Sequence, residues 1–208
     1  MISDAARQHL SADERLRPLV ASIELNPSQS KGDLYAELIE SIIYQQLSIK
    51  AAATIHGRFL TLFPEAYPTP EVLVGLETET LRGIGLSQQK ANYVRNVAAF
   101  FMAENLLGKD WSAHSDEEIL NQLTQIKGVG RWTVEMILMF TLRREDIFPI
   151  DDLGVQNSMI KLYELTETGK ALKLRMMAIA ETWRPYRSWA CTYLWRWKDA
   201  EKQAKSDK

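Results

Sequence analysis

The chain is poor in the residues that build cross-links and metal centres. A single cysteine, Cys191, among 208 residues excludes an internal disulfide and a four-cysteine zinc or iron–sulfur site. The three histidines, His9, His56 and His114, lie far apart and show no metal-ligand spacing. No apolar run approaches the roughly 20 residues needed to cross a bilayer. The N-terminus, MISDAARQHLSADERL, has no apolar signal core. These absences set the expectation of an intracellular protein of the cytoplasm or nucleoid (the nucleus in a eukaryote), without membrane partners. Net charge is low as well, −2, which taken alone argues against a nucleic-acid ligand. The charge is uneven, however: residues 1–40 hold four Lys/Arg against seven Asp/Glu, and residues 182–208 hold seven against three. A basic C-terminal face could bind phosphates, although a solvated terminal helix accounts for the same charges.

What is present is an ordinary globular composition, 46% hydrophobic and 25% charged, in a chain long enough for one large domain or two small lobes. Helix signals dominate. Ser11 to Glu14 reads as a capping box before a helix to Ile23. Ser28 to Ser30 reads as the start of a helix whose apolar face is Tyr35, Leu38, Ile39, Ile42 and Ile43, inside a loose-looking stretch over 24–32. Ser48 caps a helix over 49–62, and Thr69-Pro70 opens a short one ending at Gly75. LRGIGL, residues 81–86, reads as a turn, after which Ser87 caps a long helix to Asn105. Ser115 to Glu118 is a second capping box, with its helix ending near Gln125. Further helices are expected over 131–142, after Asp151 or Asp152, after Thr168 or Gly169, and from Tyr186 to Ala204 beyond Pro185. No alternating run bounded by turn residues is present, so the expected fold is all-α, built from about ten short helices with little or no sheet. LRGIGLSQQKA and IKGVGRWTVEM share a Gly-x-Gly turn entering a helix, a weak internal echo.

The chain is organised around residues 123–153, LTQIKGVGRWTVEMILMFTLRREDIFPIDDL. Lys127-Gly128-Val129-Gly130 is a tight turn between apolar segments carrying Leu123, Ile126, Val129, Val134 and Ile137. Together they make a helix-hairpin-helix pattern. Glycines let backbone approach a phosphate closely, and amides at a helix start attract anions; a plain connection between packed helices is the competing reading. Asp151 and Asp152 follow a charged break at 143–146. An aspartate at a helix start serves as a cap, or as an ionised carboxylate facing a developing cation. Of the six tryptophans, Trp132 stands out on the first helical turn after the glycines, where a base could stack. Gln45 to Ser48 is either a helix connection or a probe that fills the gap left by an extruded base.

Taken together, ESIIYQQLSIKAA, LTQIKGVGRWTVEMILMF, FPIDDLGV and WRPYRSWACTYLWR resemble the helix-hairpin-helix DNA glycosylases with a Gly/Pro-rich loop and a following aspartate, in particular the 3-methyladenine DNA glycosylase II branch of bacteria and fungi. The resemblance covers residues 34–198. It implies a two-lobed helical domain over 1–208 with a cleft between the lobes, a hairpin over 116–142 and a catalytic loop over 143–153. It implies that Asp152 is the catalytic carboxylate and Asp151 its non-catalytic neighbour. Lys127, Gly128, Val129, Gly130, Arg131 and Thr133 would hold the DNA, and Trp132, Met136 and Trp195 would line the base pocket. Gln46 and Leu47 would form the wedge. Carbonyls of Thr124, Ile126 and Val129 would hold a monovalent cation, Na+ or K+, with no other cofactor required. Trp132 falls where lyase-active members place a lysine nucleophile, which implies a monofunctional hydrolase. The expected partner is double-stranded DNA containing alkylated bases, and the protein is expected to be a monomer. Met136 replaces an aromatic pocket residue of some relatives. The β-rich N-terminal domain of longer bacterial enzymes is expected to have no counterpart, which leaves the far pocket wall and the substrate range open. A glycosylase for other damaged or mismatched bases, and a helix-hairpin-helix module that only binds DNA, are the alternatives.

Overall fold

The computed structural model describes residues 2–26, 30 and 32–206. Its described residues form twelve α-helices and no strand: α1 (Asp4–Leu10), α2 (Arg17–Ser22), α3 (Leu34–Tyr44), α4 (Ile49–Leu60), α5 (Pro70–Gly75), α6 (Thr78–Gly83), α7 (Gln88–Ala103), α8 (Asp116–Leu123), α9 (Arg131–Met136), α10 (Leu153–Tyr163), α11 (Gly169–Glu181) and α12 (Arg187–Ser206). Single 3₁₀ turns stand at Pro64–Ala66 and Trp111–Ala113. The chain divides into two compact units, Ser30–Leu142 and Met1–Gln29 with Arg143–Lys208.

The first of these, with α3 to α9, has its core where α3 lies on α7. The apolar stripe of α3, Tyr35, Leu38, Ile39, Ile42 and Ile43, is buried as its 3.6-residue spacing requires; Val94, Val97, Ala98 and Phe101 of α7 are buried as well, and the Tyr35 and Phe101 rings meet at 5.1 Å between centroids. Ser48, Ser87 and Ser115 cap α4, α7 and α8 through their side chains, and the Ser115–Glu118 capping box is complete. The start of α3 differs from the sequence reading. Asp33 is its cap, accepting from the Ala36 amide at 3.0 Å. Ser30 instead donates to Glu37 at 2.6 Å, while Ser28 lies outside the described residues, as do 27, 29 and 31 of the stretch 24–32. LRGIGL is also more helical than expected, because α6 takes in Leu81 to Gly83. The left-handed glycine is Gly85 here and Gly128 in the hairpin. The two Gly-x-Gly turns therefore bend at different positions and are not a repeat. α9 runs on into a π turn, Ile137–Thr141, closed by the Leu142 amide on the Ile137 carbonyl at 3.0 Å.

In the second unit the Ser11–Glu14 capping box is not formed. Ser11 ends α1, its hydroxyl donating to the Arg7 carbonyl at 2.7 Å. Asp13 takes the amides of Arg15 and Leu16 at 2.9 and 3.0 Å, and Pro18 lies in the first turn of α2. The other Asp13 oxygen accepts from the Tyr163 hydroxyl at 2.7 Å and the Trp183 indole at 3.0 Å, joining the α1–α2 turn to α10 and the end of α11. Burial alone would push this carboxyl up, but the bonds from Trp183, Tyr163, Leu16 and Arg15 outweigh it and hold the pKa below the ordinary aspartate value. A carboxylate with a depressed folded pKa stabilises the fold above its unfolded pKa and loses that contribution as pH falls through the folded one. The urea midpoint should therefore decline below about pH 4, and Asp13→Asn should flatten that acid limb while lowering the midpoint at pH 7. An unchanged acid limb in the variant would assign the decline to other groups.

Candidate functional site

In the Ser30–Leu142 unit the hairpin closes through the Ile126 amide on the Leu123 carbonyl at 3.2 Å and the Val129 amide on the Ile126 carbonyl at 2.9 Å. Gly128 has φ +109°, and a Cβ there would lie 2.2 Å from Tyr93 Cγ on α7. Asn96, one turn further along α7, donates to the Lys127 carbonyl at 3.0 Å. Helix α7 thus fixes the hairpin from beneath, and a cleft of about 660 Å³ lined by Gln88, Asn92, Tyr93, Asn96 and Lys127, among others, runs beside it. Gly130 opens α9 with extended backbone and no side-chain cap. Arg131 is exposed, with its Nε 2.9 Å from the buried Glu135 carboxylate one turn on. Trp132 is 42% exposed, a large apolar surface left in water. Thr133, assigned to the DNA surface from the sequence, is buried, its hydroxyl 3.5 Å from Gln45 Nε2. Its side chain lies on the inward side of α9 with Val134. Met136 is half-buried.

The turn after α3 belongs to the same unit. Gln45 leaves helical geometry and Gln46 adopts φ +57°, a left-handed conformation uncommon outside glycine. Residues 46–50 are all exposed. Among them Leu47 is 39% and Ile49 82% exposed. Ile49 escaped the sequence reading because a helix start there explained it.

In the other unit, residues 143–152 are tied to α12. Asp146 is held by Arg187 Nε at 2.6 Å and Arg184 at 2.5 Å. Ser188 donates to the Arg144 carbonyl at 2.7 Å and accepts from the Ile147 amide at 2.9 Å, and the Trp189 indole donates to Glu145 at 2.9 Å. Two of the seven basic residues of 182–208 are thus engaged within the unit; Asp207 and Lys208 of that stretch lie outside the described residues. The segment ends at Asp152, which caps α10. Its Oδ1 accepts from the Val155 amide at 2.7 Å and from Trp195 Nε1 at 2.8 Å. Asp151 points elsewhere and pairs with Lys173. Sequence reasoning gave Trp195 to the pocket wall and missed its grip on the aspartate. It also missed Gly154, where a Cβ would come 2.8 Å from Asp152 Oδ1 and 2.9 Å from Trp195 Nε1. The signal was a glycine two residues after the aspartate, inside a helix, where glycine is otherwise unfavourable.

Among the described residues no group of three His, Cys, Asp or Glu could hold a metal ion, and no helix is long and apolar enough to cross a membrane. Comparison with known proteins bears on the arrangement directly. The chain is 37% identical over 197 residues to DNA-3-methyladenine glycosylase 1 of Schizosaccharomyces pombe, covering 92% of this chain and 86% of that protein. The solved structure of a 3-methyladenine DNA glycosylase of the same yeast, in complex with abasic DNA, superposes with a TM-score of 0.76 at 36% identity, over 92% of this chain and 95% of that one. A DNA-3-methyladenine glycosidase from Bacillus halodurans superposes with a TM-score of 0.79 at 33% identity, over 93% and 88%. Residues 39–185 match the HhH-GPD superfamily of base excision DNA repair proteins, and the chain belongs to that superfamily.

Proposed function

We propose that this chain is a monofunctional DNA glycosylase that hydrolyses the N-glycosidic bond of alkylated purines, of the 3-methyladenine and 7-methylguanine type, in duplex DNA. The observation that carries this reading is the Asp152 carboxylate, set at the head of α10 by the Val155 amide and the Trp195 indole. The names of the relatives at 36–37% identity support the lesion class.

Extrusion of the lesion from the stack costs a few kcal/mol, least for a damaged base. Leu47, with Gln46, would fill the gap. Alkylation at N3 or N7 leaves the purine positively charged. As the C1′–N9 bond breaks, the purine takes both electrons and departs neutral, so no acid need protonate it. The sugar becomes oxocarbenium-like, and Asp152 stabilises that charge and orients the attacking water. Water oxygen bonds to C1′, a proton is released, and an abasic site remains. Stacking on exposed Trp132 would favour a cationic base over a neutral one. Lys127, Arg131 and the hairpin amides would contact phosphates, which position DNA without reading its sequence.

Carbonyls of Thr124, Ile126 and Val129 would hold a Na+ or K+ against a phosphate. The donor set fits such an ion. All three are neutral oxygens of one turn, and the Ile126 carbonyl, though it accepts the Val129 amide, keeps a second lone pair. Bound there, the ion would supply positive charge to the backbone contact. The site of action is then wherever the cell keeps its DNA.

The test is an excision assay on methylated duplex DNA that identifies the released bases. Release of 3-methyladenine and 7-methylguanine is expected. Release of oxidised or mismatched bases instead would overturn the lesion class, and binding without any release would leave a DNA-binding module. Borohydride present during the reaction should trap no protein–DNA adduct, because Trp132 offers no amine. A trapped adduct would contradict the hydrolytic route.

A further inference from the structure

Helix α3 ends at Tyr44, and its last carbonyls find no further helical amide. Beyond it the Leu47 amide returns to the Tyr44 carbonyl at 3.3 Å, and Gln46 holds its left-handed φ. Such a conformation persists at a non-glycine residue only where the surroundings over-determine it. The surroundings here include one side chain from another helix. Lys90, in the first turn of α7, donates from Nζ to the Ile43 carbonyl at 2.7 Å and to the Gln45 carbonyl at 2.6 Å. The bonds are charge-assisted, and they fall at the negative end of the α3 dipole. They also straddle the residue at which the chain leaves the helix. Partial burial pushes the ammonium pKa down, the sign of a cation drawn out of water to reach these carbonyls. By comparison, the Gln45–Thr133 bond, at 3.5 Å, is a weak restraint.

We infer that Lys90 is a positioning residue for base extrusion, a strut from α7 that locks the Gln46–Leu47 turn in the shape that presents Leu47 to the duplex. The inference rests on the reading of that turn as the wedge. Lys90 makes no contact with the reacting atoms; it acts through the backbone of Ile43 and Gln45. Its effect should therefore depend on how much work extrusion requires, and not on the chemistry that follows.

The experiment compares single-turnover excision of one methylated purine in two settings: fully paired duplex, and a bulge where the base is already unstacked. Lys90→Met should slow release from paired duplex by about tenfold and from the bulge by less than about twofold. Leu47→Ala should show the same selectivity, and the double variant should be no slower than the slower single one, because both changes disable one device. Lys90→Arg, which keeps cationic donors, should recover most of the paired-duplex rate. Lys90→Gln runs beside Lys90→Met in case the apolar side chain unfolds the packing of α3 on α7, and the same selectivity is expected of it. An equal loss on both substrates, or no loss on either, overturns the strut. Wild-type protein inert on both substrates overturns the glycosylase reading and the strut with it.

Discussion

Asp152→Asn should lose base release by about 10²–10³-fold or more while the protein stays folded and binds abasic or lesion-bearing duplex as before. The substitution is unusually clean here. The Asp152 Oδ1 atom accepts two bonds, from the Val155 amide and the Trp195 indole. An asparagine oxygen can accept both, and asparagine is as good a helix cap as aspartate. The change therefore removes the negative charge while both Oδ1 bonds can be kept. An alanine at the same place would also leave the Trp195 N–H and the first turn of α10 without their acceptor, mixing instability with lost chemistry. Asp151→Asn is the matched control. That carboxylate is 54% exposed and faces Lys173, a pair worth only about 0–1 kcal/mol in water, so activity should stay near wild type. Single-turnover excision beside a binding titration separates the cases. The reverse ranking of the two aspartates would place the catalyst at 151. Equal activity of Asp152→Asn and wild type would remove the carboxylate from the mechanism.

The order of the two aspartates illustrates what the sequence could say. That one of the pair would cap a helix followed from residue type. Which one did so, and that the cap was also the resemblance-implied catalyst, needed the fold. Local signals were read well where they decide locally: the serine caps of α4, α7 and α8, and the apolar stripe of α3. They failed where a neighbour competed. Asp13 outbid Ser11 because its two oxygens together serve Arg15, Leu16, Tyr163 and Trp183, and two of those partners lie 150 or more residues away. The resemblance gave Thr133 to DNA contact, whereas its angular position on α9 turns the side chain inward. The long-range contacts that hold Asp152 and the turn after α3 were illegible for the same reason. Trp195 reaches Asp152 across 43 residues, and Lys90 reaches α3 across 47 and 45. Side-chain type and spacing announce neither contact.

The hairpin glycines provide the second large effect, and they should fail in different ways. Gly128→Ala should destabilise the fold as well as weaken DNA binding. Its φ of +109° is strained for any residue with a side chain, and the added carbon would lie 2.2 Å from Tyr93 Cγ. That carbon is at the root of the ring, close to the α7 backbone, so it cannot swing aside as a chain end could. Backbone strain and overpacking each contribute about 1–3 kcal/mol, and each kcal/mol lowers the melting temperature of a chain this size by roughly 2–4 °C. Gly130 is the opposite case. Its φ of −93° is ordinary, and nothing stands within 4 Å of the carbon an alanine would add. The folded protein gives no packing reason for a glycine there; a close approach by a ligand does. Gly130→Ala should therefore melt near the wild-type temperature and lose DNA affinity. The double variant Gly128→Ala/Tyr93→Ala should recover the steric share of the stability loss but not the backbone share. Thermal denaturation and DNA titration of the four proteins decide the matter. A Gly130→Ala protein that binds DNA as tightly as wild type would show that the hairpin backbone does not approach the duplex at residue 130.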